Sequence, residues 1–181
     1  MTATSELVVA IVEALDGFGG PIVFDPVLGA SLGGALFAGR PADLLPLARR
    51  ASLTTPNLDE AILLTGLAAG TAPPPAGGAN LPGARRAAAA LVAAGLPAVL
   101  VKGGHLRGRA TDVLATGAGQ RLFIAPRVAG SSPRGTGCSL ATAIAAGLAA
   151  GRPLETAVGS AKRWLLGRIR AIRLSDTEYL L

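Results

Sequence analysis

Residues 51–66 read ASLTTPNLDEAILLTG: a short apolar run stopped by Pro56, then a compact helical pattern that opens at Leu58 and closes at Gly66. A strand that turns directly into a helix is the repeating unit of an α/β sheet, and the chain shows it on both sides of this stretch. Upstream, residues 5–16 are a helix ended by Gly17, Gly19 and Gly20. PIVFDP (21–26) then looks like a buried parallel strand that delivers a carboxylate to the carboxyl edge of the sheet. The Gly-rich stretch 27–39 reads as a loop, and residues 41–50 as a helix with Pro41 near its first turn. Downstream, TAPPPAGGANLPG (71–83) is a solvent-exposed connection, ARRAAAALVAAG (84–95) an Ala-rich helix, and PAVLVKGG (97–104) a third core strand. TDVLAT (111–116) and QRLFIAP (120–126) flank Gly117 and Gly119 as an antiparallel hairpin. GTGCSLATAIAAGLAAG (135–151) is a loop feeding a small-residue helix, and residues 153–173 are the last helix. Alternating strands and helices predict an α/β fold with a mainly parallel sheet covered on both faces. Ligands of such sheets sit beyond the carboxyl ends of the strands, where Asp25, Asn57 and Lys102 all fall.

Composition narrows the class. The 181 residues, half of them hydrophobic and 15% charged, suit one domain over 1–181 and exclude disorder. Cys138 is the only cysteine, so a disulfide scaffold is impossible and a reducing, cytoplasmic setting is expected. No apolar run reaches the roughly eighteen residues of a membrane span, and the start MTATSELVVAIVEAL lacks the basic region of a signal peptide. The net charge of +6 does not point to nucleic acid, because the arginines are dispersed and aromatics make up only 3% of the chain. The densest basic stretch, Lys162 to Arg173, interleaves Trp164, Leu165, Leu166, Ile169 and Ile172. It reads as a packed helix with Trp164 in the core and its cations on the outer face. Anionic small molecules are the better match for a basic cleft.

The Gly135-Thr136-Gly137-Cys138 run carries the clearest chemistry. Two glycines permit close backbone approach, and the amides of a first helical turn lack partners within the helix. Those amides and the positive helix end make an anion site. A thiol at the same terminus is expected to have a lowered pKa and to serve as a base; a tight loop with an inert buried Cys explains the run equally well. No Walker A sequence is present. Asn57 and Glu60 have the spacing of a capping box for the helix that starts at Leu58, a role compatible with catalysis. Lys102 is one of only two lysines in an Arg-dominated chain, which suggests that a compact ammonium is specifically required. His105, the only His, reads as a solvated loop residue beside Arg107 and Arg109.

PIVFDPV, LTTPNLDEAILLTG, AVLVKGGH, TDVL and GTGCSLATAIAAGLAAG, in this order and spacing over residues 1–173, resemble the hydroxymethylpyrimidine/phosphomethylpyrimidine kinases of thiamine biosynthesis, within the ribokinase-like superfamily. The resemblance implies a three-layer ribokinase-like fold and transfer of phosphoryl from ATP, with Mg²⁺, to the pyrimidine alcohol and then to its monophosphate. It implies that Cys138 is the catalytic base and that the amides of Gly135, Thr136 and Gly137 form the anion hole. Asn57 and Glu60 would organise Mg²⁺ and the ATP phosphates through water, Asp25 would stand near the metal, Lys102 and Gly103 would meet the ATP phosphates, and Val27 would line the pyrimidine pocket. A homodimer is the family's usual habit.

Two departures accompany the resemblance. Arg134 stands where the family often has His. The family's amino-terminal third has no counterpart, and MTATSEL is similar to an internal segment of the family, so the chain is expected to be amino-terminally truncated with Met1 an internal methionine. A related pyridoxal-type kinase and an inactive nucleotide-binding remnant are the alternative readings.

Overall fold

Among the described residues, five strands form one sheet in chain order: β1 (Val23–Phe24), β2 (Leu53–Thr54), β3 (Ala98–Val101), β4 (Ala110–Thr116) and β5 (Gly119–Ala125). The computed structural model describes residues 4–29, 36–68, 80–104, 106, 108–128 and 134–174. β1–β2 and β2–β3 pair in parallel, whereas β3–β4 and β4–β5 are antiparallel. The sheet is therefore mixed, and its parallel half is the part that carries the polar strand ends. The expected hairpin has the register Thr116 to Gly119 at its turn and Ala110 to Ala125 at its open end.

Helices cover both faces. On one lie α1 (Ser5–Ala14), α2 (Leu45–Arg50, entered through a 3-10 turn at Pro41–Leu44), α3 (Leu58–Ala68) and α4 (Leu81–Ala93). On the other lie α5 (Thr136–Ala149) and α6 (Leu154–Leu174), packed against each other. Side chains of β3 alternate between the two cores, as a strand's two-residue period requires. Val99 and Val101 join Leu64, Leu91 and Leu44 on the first face, while Ala98 and Leu100 join Leu140, Ile144 and Val158 on the second. Burial of β3 on both sides explains its unbroken apolar run. Among the described residues no helix is long and apolar enough to cross a membrane.

The structure corrects three expectations. α4 begins at Leu81, inside the expected 71–83 connection: Asn80 caps it by accepting from the Gly83 N–H (2.8 Å), and Pro82 occupies the first turn. Trp164 is not core but 48% exposed. It borders an open groove of about 640 Å³ between α5 and α6, beside Thr142, Ala146 and Ala161. An apolar helical stripe reveals a face but not whether anything covers it. Lys162, expected on the outer face of α6, points inward instead, its Nζ 2.5 Å from Asp112 Oδ2, with the two side chains only 11% and 6% exposed.

Candidate functional site

The carboxyl ends of β1, β2 and β3 lie side by side, because parallel strands present the same end to the same edge. Thr55 N–H donates to the Phe24 carbonyl (2.8 Å) and Lys102 N–H to the Pro56 carbonyl (2.8 Å), and Asn57 and Lys102 form a parallel bridge. Asp25, Thr55, Asn57 and Lys102 are thereby brought together. Asp25 Oδ1 accepts from Lys102 Nζ (2.5 Å) and from the Thr55 hydroxyl (3.0 Å). Its other oxygen, Oδ2, is buried without a hydrogen-bond partner.

Two helix starts converge on this edge. α5 packs behind β1, which aims its first turn at the strand ends. Its N-cap, Gly135, has φ 78°, a left-handed conformation that suits glycine. No side chain caps the helix, so its first amides remain available to a ligand. A Cβ on Gly137 would stand 3.1 Å from Lys102 Nζ, which places the ammonium directly beside the start of α5. The other start is that of α3. There Asn57 N–H donates to Glu60 Oε2 (2.7 Å) and Glu60 N–H donates to Asn57 Oδ1 (2.9 Å), the reciprocal pattern of a capping box.

Electrostatics set the protonation states. Burial pushes the Glu60 carboxyl above its ordinary range, with the Asp25 charge adding to the effect; backbone donors at Asn57 and Leu28 and the Lys102 charge pull the other way. The Cys138 residue is exposed, yet its thiol is also pushed up, first by desolvation from the protein around it and then by the charge and hydrogen bonding of Asp25, against the pull of Lys102 and a backbone hydrogen bond. This overturns the expected lowering. A backbone hydrogen bond at the start of α5 and the Lys102 charge do pull the thiol down, but desolvation, and after it the Asp25 carboxylate, outweigh them. The thiol is therefore protonated in the free chain at neutral pH.

Of the expected site residues, Asp25, Lys102, Glu60, Asn57, Gly137 and Cys138 meet at one edge. Gly135 and Thr136 open α5 there. Gly103 follows Lys102 and is sterically required: a Cβ would lie 1.7 Å from the Thr111 carbonyl oxygen. Val27 is half-buried in the turn after β1, its N–H bonded to the Asp25 carbonyl (2.9 Å). His105 lies outside the described residues. Sequence reasoning missed Thr55, which steadies Asp25, and Asp112, whose Oδ1 accepts from the Gly103 N–H (2.8 Å) while Oδ2 holds Lys162. The signal for the second was present. The same scarcity of lysine that singled out Lys102 applies to Lys162, and each of the two pairs with an aspartate from a strand or strand end.

Known proteins are similar to this chain in sequence and fold. The phosphomethylpyrimidine kinase family matches residues 1–178. A curated relative from Streptomyces coelicolor, named hydroxymethylpyrimidine/phosphomethylpyrimidine kinase, is 40% identical over 176 residues, covering 94% of this chain and 61% of its own length. The chain thus spans about three-fifths of that relative. Among solved structures, phosphomethylpyrimidine kinase from Clostridium difficile 630 superposes with a TM-score of 0.71 at 28% identity, covering 93% of this chain and 66% of that one. Pyridoxal kinase from Staphylococcus aureus in complex with ADP gives 0.77 at 27% identity, covering 93% and 59%. With a family match over nearly its whole length and a ribokinase-like fold, the chain belongs to the phosphomethylpyrimidine kinase family.

Proposed function

We propose that the chain carries the nucleotide-binding and phosphoryl-transfer machinery of a hydroxymethylpyrimidine/phosphomethylpyrimidine kinase, using ATP. The observation that supports this most directly is the approach of Lys102 Nζ to the uncapped, glycine-built start of α5. An ammonium and a set of free amides facing one space are what a transferring phosphoryl group requires. In this reading the amides after Gly135 hold the γ-phosphoryl oxygens, and Lys102, steadied by Asp25, neutralises charge between the phosphates. The substrate hydroxymethyl oxygen attacks the γ-phosphorus, the bond to the ADP oxygen breaks in line, and the hydroxyl proton passes to Cys138 Sγ. Transfer requires the thiolate, so the reacting complex must favour its ionisation, in part by balancing the Asp25 charge that opposes it.

The residues present fit a magnesium ion. Asp25 offers a buried oxygen without a partner, and Glu60, a second carboxyl kept high by burial and by Asp25, faces the same region. Mg²⁺ prefers one or two carboxylates, water and substrate phosphates to a full protein cage. Among the described residues no group of three or more acidic, His or Cys side chains forms such a cage. When bound, the ion would be held by Asp25 and Glu60 and would supply positive charge against the phosphates and the Asp25 carboxylate.

The test is a melting curve. Saturating Mg-ADP at about a hundred times its dissociation constant would stabilise the chain by ~2.7 kcal/mol, and Cys138→Ala would keep that shift while losing turnover by about 10²- to 10⁴-fold. A melting curve indifferent to Mg-ADP would overturn the reading. Hydroxymethylpyrimidine and pyridoxal offered side by side would identify the acceptor.

A further inference from the structure

Arg127, just past the end of β5, spends its whole guanidinium on one loop. Nε donates to the Gly108 carbonyl (2.5 Å), one terminal nitrogen to the Gly104 carbonyl (2.6 Å), and the other to the Leu106 carbonyl. These three carbonyls come from alternate residues of the turn between β3 and β4. Oxygens at such spacing converge on one point only if the turn is curled, and three carbonyl dipoles facing inward repel unless a cation sits among them. The rest of the turn agrees with that shape. Leu106 N–H closes onto the Gly103 carbonyl (3.1 Å), the Leu106 side chain is buried in the core, and Gly108 takes φ 79°.

We propose that Arg127 is the positioning residue that shapes the β3–β4 turn for the nucleotide. The inference rests on the kinase reading above. It adds that the backbone following Lys102 is given its form by a side chain from elsewhere in the chain. Gly103 is fixed by the Asp112 carboxylate and by its contact with the Thr111 carbonyl, and Gly104, Leu106 and Gly108 by Arg127. The described residues of the turn are thus held from both sides. Arg127 lies just past β5, so it ties the end of that strand to the turn that follows Lys102. It forms no ion pair among the described residues, and its positive charge adds to the attraction for a polyphosphate. A fork of fixed geometry is needed for three diverging carbonyls, which the flexible point charge of lysine does not reproduce.

The experiment combines amide hydrogen exchange with calorimetric titration of Mg-ADP on the 181-residue chain, for wild type, Arg127→Ala, Arg127→Lys and the surface control Arg121→Ala. The expected result for Arg127→Ala is faster exchange confined to residues 103–109 and an ADP affinity lowered about tenfold or more. Arg127→Lys should recover only part of both, and Arg121→Ala should match wild type. Unchanged exchange in the turn would overturn the proposal, as would full rescue by lysine or faster exchange with unaltered affinity. If Arg127→Ala does not fold, Arg127→Lys carries the same two readouts. A wild-type chain that binds no ADP would overturn the kinase reading and the nucleotide role together, while the exchange pattern alone would still decide whether Arg127 shapes the turn.

Discussion

Cys138 and Asp25 set opposite demands in the proposed reaction: the thiol must be ionised before it can accept the substrate proton, and the neighbouring carboxylate discourages that ionisation. Burial and the Asp25 charge hold the thiol up, and Lys102 draws it down. Because the chain has a single cysteine, this balance can be read by alkylation without further engineering. Rates of iodoacetamide modification rise with pH as thiolate forms. Asp25→Asn removes the charge that opposes ionisation, so its profile is expected to move to lower pH than wild type. Lys102→Met removes the opposing cation, so its profile should move to higher pH. Identical profiles in all three would show that burial alone governs the thiol. The residue types at the site were legible in the sequence because strand ends deliver polar groups to one edge. The protonation state was not, since it depends on a contact between residues far apart in the chain.

At the scale of elements, one aspartate joins three. Asp112 on β4 holds the Gly103 N–H after β3 and the Lys162 ammonium on α6. Removing one member of a buried pair strands the other, at a cost of about 3–5 kcal/mol, so Asp112→Ala is expected to lose that much in urea unfolding. The Arg121–Glu155 pair joins β5 to α6 as well, but its side chains are 60% and 53% exposed. Arg121→Ala should cost no more than ~1 kcal/mol. Equal losses would mean that the Asp112 pair is not effectively shielded from water. Element types were readable wherever period and punctuation agreed, as at the capped start of α3 and the glycine turn of the hairpin. They failed where local signals conflicted: the prolines and glycines before Asn80 masked a good N-cap, and the stripe around Trp164 hid an open groove. The inward turn of Lys162 was hidden because an apolar-and-basic pattern suits a solvated face just as well.

For the whole molecule, the sheet ends matter most. β1 contributes two residues and pairs only with β2 among the described residues, while β5 is the opposite edge. Leu7, Val9, Phe18, Ile124 and Trp164 are large apolar side chains on the surface, in a chain whose mean hydropathy is +0.50. Open strand edges recruit other chains, and exposed apolar patches promote association. The 181-residue chain is therefore expected to self-associate with rising concentration in size-exclusion chromatography with light scattering. A monomer at all concentrations would show that these edges are adequately protected.

The division of the helices between the two faces also imposes an order in time. Everything that builds the first face, together with all five strands, is synthesised before α5 and α6. Chains emerge from the ribosome at about 5–20 residues per second, so for some seconds the nascent sheet presents Leu53, Leu100 and Leu114 with no helix over them. The same late pair brings the glycine-built anion loop and the cysteine. The step that hides the second apolar face is thus also the step that brings Gly135 and Cys138 to the strand ends, and a nascent chain stalled before Gly135 would be sticky and would lack both.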